Sequence, residues 1–229
     1  NLENQNHNTE VLISFFIIFA CSTSSDQPTT ANFLEIGAGA RAISMGEAFV
    51  AVSDDPSALY WNPAGISKNN VQGFTAIYYP FLDFKYSFIG YCQAISINST
   101  YLGASVIYLN YGNFNQTDAF GTPTGETFNP YDLAINLSFS QRVFKNIFVG
   151  ITSKNITLNG PGASLSGYAF DSGVMFVSSE NIRVGAVLYN LGPKIENFSL
   201  PLNLKLGASY LLNNNLLIPV SLGYNFPDH

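Results

Sequence analysis

The chain has 229 residues, of which 10% are charged, 47% hydrophobic and 14% aromatic, and its net charge is −6. Soluble domains usually carry about 25% charged residues, so the composition favours a membrane protein. No run approaches the ~20 apolar residues that a membrane-crossing helix needs, and nucleic-acid binding, which needs a basic face, is excluded.

Residues 1–32 are predicted to be a leader followed by a polar spacer. Residues 11–20 are apolar, too short to span a bilayer, and typical of the hydrophobic region of a secretory signal. Ala20, Cys21 and Ser22 fit a cleavage site, and lipidation of Cys21 is the alternative. No Met opens the chain and no Lys or Arg precedes the apolar run. We interpret this as a truncated or misannotated start.

Residues 33–67 form a Gly/Ala-rich block without clean alternation. Asp54, Asp55 and Pro56 predict the start of a short helix, because Asp can cap free N–H groups and Pro has a helical φ. We expect Gly65 to end this helix. Residues 37–42 match the dinucleotide-binding pattern G-x-G-x-x-A, but that pattern requires a βαβ unit, and hairpin-like runs follow here.

Beyond residue 67 the sequence alternates between apolar and polar residues in segments of about ten, the length of a tilted membrane-spanning strand. These runs lie at 72–79, 85–96, 99–110, 132–143, 146–157, 167–177, 182–190, 202–212 and 216–226. Short turns join most of them, which predicts antiparallel neighbours. Residues 111–131, rich in Gly, Asn and Pro, are typical of a long extracellular loop. The sequence therefore predicts an all-β, up-and-down transmembrane barrel over residues 68–229.

The alternation also predicts which residues face the barrel interior. In the run 202–210, the apolar residues at even positions lie on one side, and the polar residues and Gly207 lie on the other. If the apolar side meets lipid, the charged residues facing the lumen are Asp132, Asp171, Arg183 and Lys205. Two roles stay open for them: they pair with one another in a polar lumen, or they select what passes.

Nine strands are an unusual total, because single-chain bacterial barrels have an even number and leave no open edge in lipid. The final residues, Pro227, Asp228 and His229, resemble a turn that opens another hairpin. We therefore expect this chain to be the N-terminal part of a longer protein.

No arrangement of residues indicates catalysis, and we expect neither a metal nor a cofactor. His7 and His229 lie at opposite ends of the chain and form no Ser/His/Asp or Cys/His arrangement. Cys21 and Cys92 are too few for a disulfide framework and lack metal-ligand spacing. The sequence favours a protein that is not an enzyme.

Residues 33–65 closely resemble the N-terminal block of the PorV/PorQ family of outer-membrane proteins, through the Gly/Ala-rich stretch, the acidic pair and the Asn-Pro-Ala element. They are more distantly similar to the plug region of FadL fatty-acid transporters. Residues 168–173, 190–193 and 200–207 also match the PorV/PorQ pattern. The resemblance implies a FadL-like barrel of about 14 strands whose lumen holds an N-terminal plug.

The resemblance assigns residues 33–67 to that plug. The residues matched to its motif are Gly37, Gly39, Arg41, Gly46, Glu47, Asp54, Asp55, Asn62, Pro63 and Gly65. The first glycines allow tight turns, and we expect Asn62 to hydrogen-bond lumen-facing backbone. Since an unpaired buried charge is costly, Glu35, Arg41 and Glu47 are expected to pair with wall residues such as Arg183, Lys205 or Asp171.

By resemblance, the protein lies in the outer membrane of a Gram-negative-type bacterium, in contact with outer-membrane lipid. It is expected to act in type IX secretion, as a component or cargo adaptor that contacts secretion-machinery proteins and their cargo. The alternative is a channel for hydrophobic small molecules, with a lipid-like ligand in the lumen, as in the fatty-acid transporters. A third possibility is a purely structural barrel.

Overall fold

The computed structural model describes residues 29–81, 84–95, 99–118, 120–179, 181–212 and 216–226. Most of the predicted leader, with Cys21, lies outside these residues, and so does the predicted turn at 227–229. Among the described residues, no helix is both long and apolar enough to cross a membrane.

Short helices precede the first strand. They are a 3-10 helix, Asn32–Glu35, and three α-helices, α1 (Ala40–Ser44), α2 (Ala58–Trp61) and α3 (Ala64–Asn69). The prediction that Gly65 ends a helix is wrong, since this residue lies inside α3. Helix α2 ends instead at Asn62, whose backbone is extended (φ −161°). The Oδ1 atom of Asn62 then accepts the N–H of Ala64 and starts α3.

Eleven strands follow in the described part of the chain: β1 (Gly73–Phe81), β2 (Phe84–Ile95), β3 (Thr100–Asn110), β4 (Phe114–Thr117), β5 (Pro123–Phe128), β6 (Tyr131–Phe144), β7 (Ile147–Gly160), β8 (Ala163–Val177), β9 (Ile182–Leu191), β10 (Asn203–Leu212) and β11 (Leu216–Asn225). Nine of them form one sheet in the order β1-β2-β3-β6-β7-β8-β9-β10-β11. Every pair of neighbours in this sheet is antiparallel. The predicted all-β, up-and-down architecture is confirmed.

The long link predicted at 111–131 contains a hairpin that the sequence analysis did not predict. Strands β4 and β5 form it, and Phe114 stacks on Phe128 across it with ring centroids 5.5 Å apart. The turn depends on Asp118, whose carboxylate accepts the backbone N–H groups of Phe120 and Thr122. Gly121 completes it at a φ of +81°.

The two faces of the large sheet differ in chemistry. On β6, Ile135, Leu137 and Phe139 point to the convex face and are 50%, 65% and 37% exposed. Asn136 and Ser138, on the opposite face, are buried. The convex face is therefore an apolar belt, and the concave face carries small and polar residues. Leu202 departs from the expected alternation, because it precedes β10 and is buried.

The sheet curves around residues 33–69, which we call the inner segment. Contacts reach it from both ends of the sheet: Gly39 bonds to Tyr79 of β1, and Leu217 of β11 packs beside Phe49 and Trp61. The strands between them also contact the inner segment. The concave face and the inner segment thus bury their side chains against each other.

Candidate functional site

The inner segment is stabilised by its own hydrogen bonds. Trp61 donates its Nε1–H to the carbonyl of Ala38 at 2.6 Å, and Tyr60 donates its hydroxyl to the carbonyl of Leu34 at 2.9 Å. Both residues lie on α2, so this short helix holds the chain that precedes α1. Gly37 packs against the Trp61 ring, where a β-carbon would lie 3.2 Å from the ring carbons.

Arg41 and the acidic pair, which the sequence assigned to one motif, meet at the surface of the inner segment. Arg41 forms a bidentate pair with Asp54, and its guanidinium also lies 3.6 Å from Asp55. The expectation of a wall partner for Arg41 is therefore wrong. Asp55 accepts the backbone N–H of Ser57 at 2.8 Å and so shapes the entry to α2. The pKa of Arg41 is raised, first by its hydrogen bond to Asp54.

Asn62 joins the inner segment to the wall. Its Nδ2 donates to the carbonyls of Val50 at 2.9 Å and of Val174, on β8, at 3.3 Å. Because its Oδ1 accepts the N–H of Ala64, this fully buried amide uses both of its ends. The predicted hydrogen bond from Asn62 to wall backbone is present.

Serine and tyrosine hydroxyls make further links that the sequence analysis did not identify. Ser140 of β6 donates to the hydroxyl of Ser67 at 2.8 Å. Tyr86 of β2 donates to the carbonyl of Ile36, and Tyr189 of β9 donates to the carbonyl of Trp61. The wall residues in these links could have been identified from the sequence, because each is polar and lies at an inward position of a strand whose other face is apolar.

Glycine occupies six wall positions that lie close against the inner segment. These positions are Gly90, Gly103, Gly150, Gly173, Gly185 and Gly207, one on each of β2, β3, β7, β8, β9 and β10. A β-carbon at Gly185 would lie 2.7 Å from the carbonyl oxygen of Val50, and one at Gly90 would lie 2.9 Å from Leu59. We call these six positions the glycine seat.

At Gly150, Gly185 and Gly207 the glycine seat brings wall backbone against backbone of the inner segment, and at its other positions the wall meets the side chains of Leu59 and Asn62. Two of its members are direct cross-strand partners of two others: Gly150 pairs with Gly173, and Gly185 pairs with Gly207. Pro63 and Ala64 pack on Gly150, and Asn62 packs on Gly173. Gly in a strand interior often marks such a close approach, which is the signal that could have identified these residues.

The motif glycines have different roles. Gly65 lies against Ser53, where a β-carbon would overlap the backbone. Gly39 and Gly46 have φ values of +99° and +63°, in the region that favours glycine. Gly46 and the following Glu47 (φ +63°) both adopt left-handed backbone and reverse the chain after α1.

The predicted interior charges lie in separate environments. The Nζ of Lys205 is 2.7 Å from the carboxylate of Glu47 and 5.2 Å from the centroid of the Trp61 ring. The sequence analysis placed Glu47 in the plug and Lys205 on the wall, so this pair links the two parts.

Asp132 accepts a hydrogen bond from the hydroxyl of Tyr111 at 2.6 Å, near the β4–β5 hairpin. Arg183 is half-buried. Its positive charge helps to lower the pKa of Lys68, although burial of Lys68 is the larger cause.

Asp171 pairs with Lys154, a residue that the sequence analysis missed. The two charges are 2.8 Å apart and their side chains are 1% and 5% exposed. Asn190 satisfies both: its Oδ1 accepts from Lys154 at 2.7 Å, and its backbone N–H donates to Asp171 at 2.8 Å. Its Nδ2 donates to the carbonyl of Pro201. This network braces residues 192–202, which fold back over the wall.

Glu35 lies close to the Glu47–Lys205 pair. It lines a small space on the concave side together with Trp61 and Lys205, and solvent still reaches its side chain. Partial loss of hydration in this space raises the pKa of Glu35 above the ordinary value of 4.5; attraction to Lys205 opposes this rise, and repulsion by Glu47 adds to it. Within the described residues, no three His, Cys, Asp or Glu side chains cluster as metal ligands would.

A family model for the type IX secretion system protein PorV matches residues 22–225. The chain belongs to the PorV family. A search of curated proteins gives no match. Membership makes the protein an outer-membrane component of type IX secretion, associated with secretion machinery and cargo. The family is one of secretion proteins and not a known family of enzymes.

Proposed function

We propose that residues 33–67 are a fixed plug in the wall formed by residues 68–229, and that the protein is a non-enzymatic cargo adaptor in type IX secretion. In this proposal, cargo is handled at one end of the barrel and does not pass through the lumen. The observation that carries it is the contact of the inner segment with all nine strands of the large sheet.

The nature of these contacts supports a fixed plug. At Gly150 and Gly185 the wall backbone lies directly against the backbone of Pro63, Ala64 and Val50, with no side chain between the two parts. The bond of Asn62 to Val174, on β8, would break if the plug moved against the wall. A buried amide that loses its partners costs about 1–3 kcal/mol, and several such groups would lose theirs together.

The charges on the concave face support the same proposal. Lys205 is paired with Glu47, and Asp171 is paired with Lys154 and bonded to Asn190. A residue that selects passing molecules needs an available charge, whereas these charges are neutralised by neighbours. We therefore favour structural pairing over selectivity for Asp171 and Lys205.

We assign the outer side of a Gram-negative-type membrane to the end of the sheet that carries the β4–β5 hairpin. The longer connections, 111–130 and 192–202, lie at this end, as expected for extracellular loops of an outer-membrane barrel. Phe120, near the tip of the hairpin, is 94% exposed. These loops are the proposed contact surface for cargo and secretion machinery.

A cross-link between plug and wall tests the proposal. Ser67 and Ser140 are replaced together by cysteine, because their hydroxyls already lie 2.8 Å apart. The single Ser67→Cys variant is the control, and a reductant reverses the cross-link. Export of a type IX cargo is measured in cells that carry only the variant protein.

A fixed plug predicts that cross-linked cells export cargo as the single variant does. Loss of export that returns on reduction would overturn the proposal, because it would require plug movement. The channel for hydrophobic small molecules makes the opposite prediction, since the plug must yield for a lipid-like ligand to pass. Uptake of a labelled fatty acid that stops on cross-linking would favour that channel.

A further inference from the structure

A cleft of about 440 Å³ lies beside the β4–β5 hairpin, between this hairpin and the turn that joins β7 to β8. Its apolar lining includes Phe114, Phe128, Pro130, Leu158, Pro161 and Leu165. Asp132 and Tyr111 contribute polar groups to the same lining. The volume falls within the range of about 300–1,000 Å³ that is common for ligand pockets.

The cleft is held in shape by contacts within its walls. Phe114 stacks on Phe128, and the backbone N–H of Tyr111 donates to the carbonyl of Pro130 at 3.1 Å. Asn110 donates to Asn129 at 2.8 Å at the base of the hairpin. A pre-formed site binds more tightly because less conformational freedom is lost on binding.

One of the two carboxylate oxygens of Asp132 already accepts a hydrogen bond. Its Oδ2 accepts the hydroxyl of Tyr111 at 2.6 Å, and among the described residues no hydrogen bond reaches its Oδ1. A guanidinium binds best to both oxygens of a carboxylate at once, whereas an ammonium is a compact charge that needs only one. The available oxygen of Asp132 therefore favours an ammonium.

The hairpin segment beside the cleft is acidic. Residues 111–131 include Asp118 and Glu126 and contain neither Lys nor Arg. This local charge has the sign of the chain's net charge of −6. Charge of one sign around a site attracts ligands of the opposite sign and speeds their association.

We propose that this cleft binds a lysine side chain of a partner polypeptide, with its apolar stem against Phe114 and Phe128 and its ammonium at Oδ1 of Asp132. The proposal rests on the proposed adaptor function and names the chemistry by which the loop end would recognise cargo or machinery. A lysine stem packs well on apolar surface while its charged end reaches a polar partner. The nearby aromatic rings add attraction for a cation.

Two fluorescein-labelled peptides test the proposal on the purified protein in detergent. One is Leu-Lys-Leu, and the other carries Nε-acetyl-lysine, which keeps the length of the stem and removes the charge. We expect the lysine peptide to bind about tenfold more tightly, since hydrogen bonds between charged groups are stronger than those between neutral ones. Asp132→Asn should abolish this preference while it keeps an acceptor for Tyr111. Glu126→Gln, an equal change of charge on the exposed hairpin, is the matched control and should retain it.

Equal binding of the two peptides, or no binding of either, would overturn the proposal. An equal loss in Glu126→Gln and Asp132→Asn would also overturn it, since general surface charge would then account for binding. Displacement of the peptide by lauric acid, with tighter lauric acid binding to Asp132→Asn, would make the cleft a lipid site instead. The proposed adaptor function fails separately, through loss of export when the plug is cross-linked.

Discussion

The side-chain oxygen of Asn62 lies directly against Gly173, while the amide nitrogen of Asn62 donates to the carbonyl of Val174, the next residue of the same strand. The amide thus contacts β8 with both of its ends. It fits there because Gly173 has no β-carbon. One residue of the inner segment and one of the wall therefore determine each other's identity.

We expect Gly173→Ala to destabilise the protein, because the added β-carbon would overlap the side-chain oxygen of Asn62, and hydrogen bonds at both ends of this amide hold it in place. Overpacking of this kind typically costs about 1–3 kcal/mol. Thermal unfolding in detergent measures the effect. The matched control is Gly223→Ala on β11, where the β-carbon would lie 3.6 Å from Lys205, an ordinary contact. Equal melting temperatures for the two variants would contradict this explanation of the glycine seat.

Replacing Asn62 with Ala should loosen the inner segment without unfolding the sheet. The change removes bonds to Val50, Ala64 and Val174, and leaves their buried polar groups without these partners, at about 1–3 kcal/mol each. Limited proteolysis should cleave within residues 33–69 faster than in the unaltered protein. Asn197→Ala, a change at an exposed position, is the control. Equal cleavage of both variants would show that Asn62 does not hold the segment.

The buried charges of Lys154 and Asp171 should contribute to stability as a coupled pair. Lys154→Met should destabilise the protein by about 3–5 kcal/mol, because it leaves the buried carboxylate of Asp171 without its cation. Adding Asp171→Leu should recover much of the loss, since an apolar pair carries no buried charge. A double-mutant cycle based on chemical denaturation measures the coupling. Additive effects of the two changes would show that the pair does not act as a unit.

Glu35 should make the stability of the protein depend on pH. Its pKa is raised in the folded protein, chiefly by burial, so ionisation opposes folding. Stability should fall as the pH rises from the ordinary value of 4.5 through the higher pKa of the folded state. Glu35→Gln should therefore melt at a higher temperature at about pH 7, and the difference should vanish below about pH 4. Exposed Glu126→Gln is the control. A difference that grows with acidity would have the wrong sign.

The apolar belt makes a prediction about insertion into lipid. Leu137, 65% exposed on the convex face of β6, should not tolerate Arg. Arg on the lipid face of a barrel costs about 2–4 kcal/mol near the bilayer midplane. Phe120→Arg, near the hairpin tip, should insert normally, although Phe120 is 94% exposed. Recovery of each variant in the outer-membrane fraction measures insertion. Equal recovery would contradict lipid contact at Leu137.

Local periodicity was enough to predict the large sheet. Each strand of the wall shows one face to an apolar medium and the other to a polar interior, so alternation marks its position and its facing. Alternation did not predict the β4–β5 hairpin, because its strands are short and are exposed on both faces. Its signals were Asp118 and Gly121 at the turn, and the phenylalanines that stack across it.

The contacts between the inner segment and the wall could be predicted only in part. Asn62 was expected to bond to wall backbone, but the sequence did not identify Val174 as its acceptor, because 112 positions separate the two residues. Lys154 was missed because it lies on the polar side of a strand, where solvation is the usual explanation. Arg41 was expected to pair with a wall residue, whereas Asp54, only 13 positions away, satisfies its charge. The structure supplies these pairings because they depend on how strands far apart in sequence meet.

The glycine seat also has a consequence for biogenesis. The helices that rest on it precede every strand of the wall in the chain, so they are already synthesised when the last strands pair. A wall that assembled first would enclose a furrow lined by backbone, into which the helices would have to be threaded. Assembly around the helices avoids that step, which makes the amino-terminal segment a template for the curvature of the sheet.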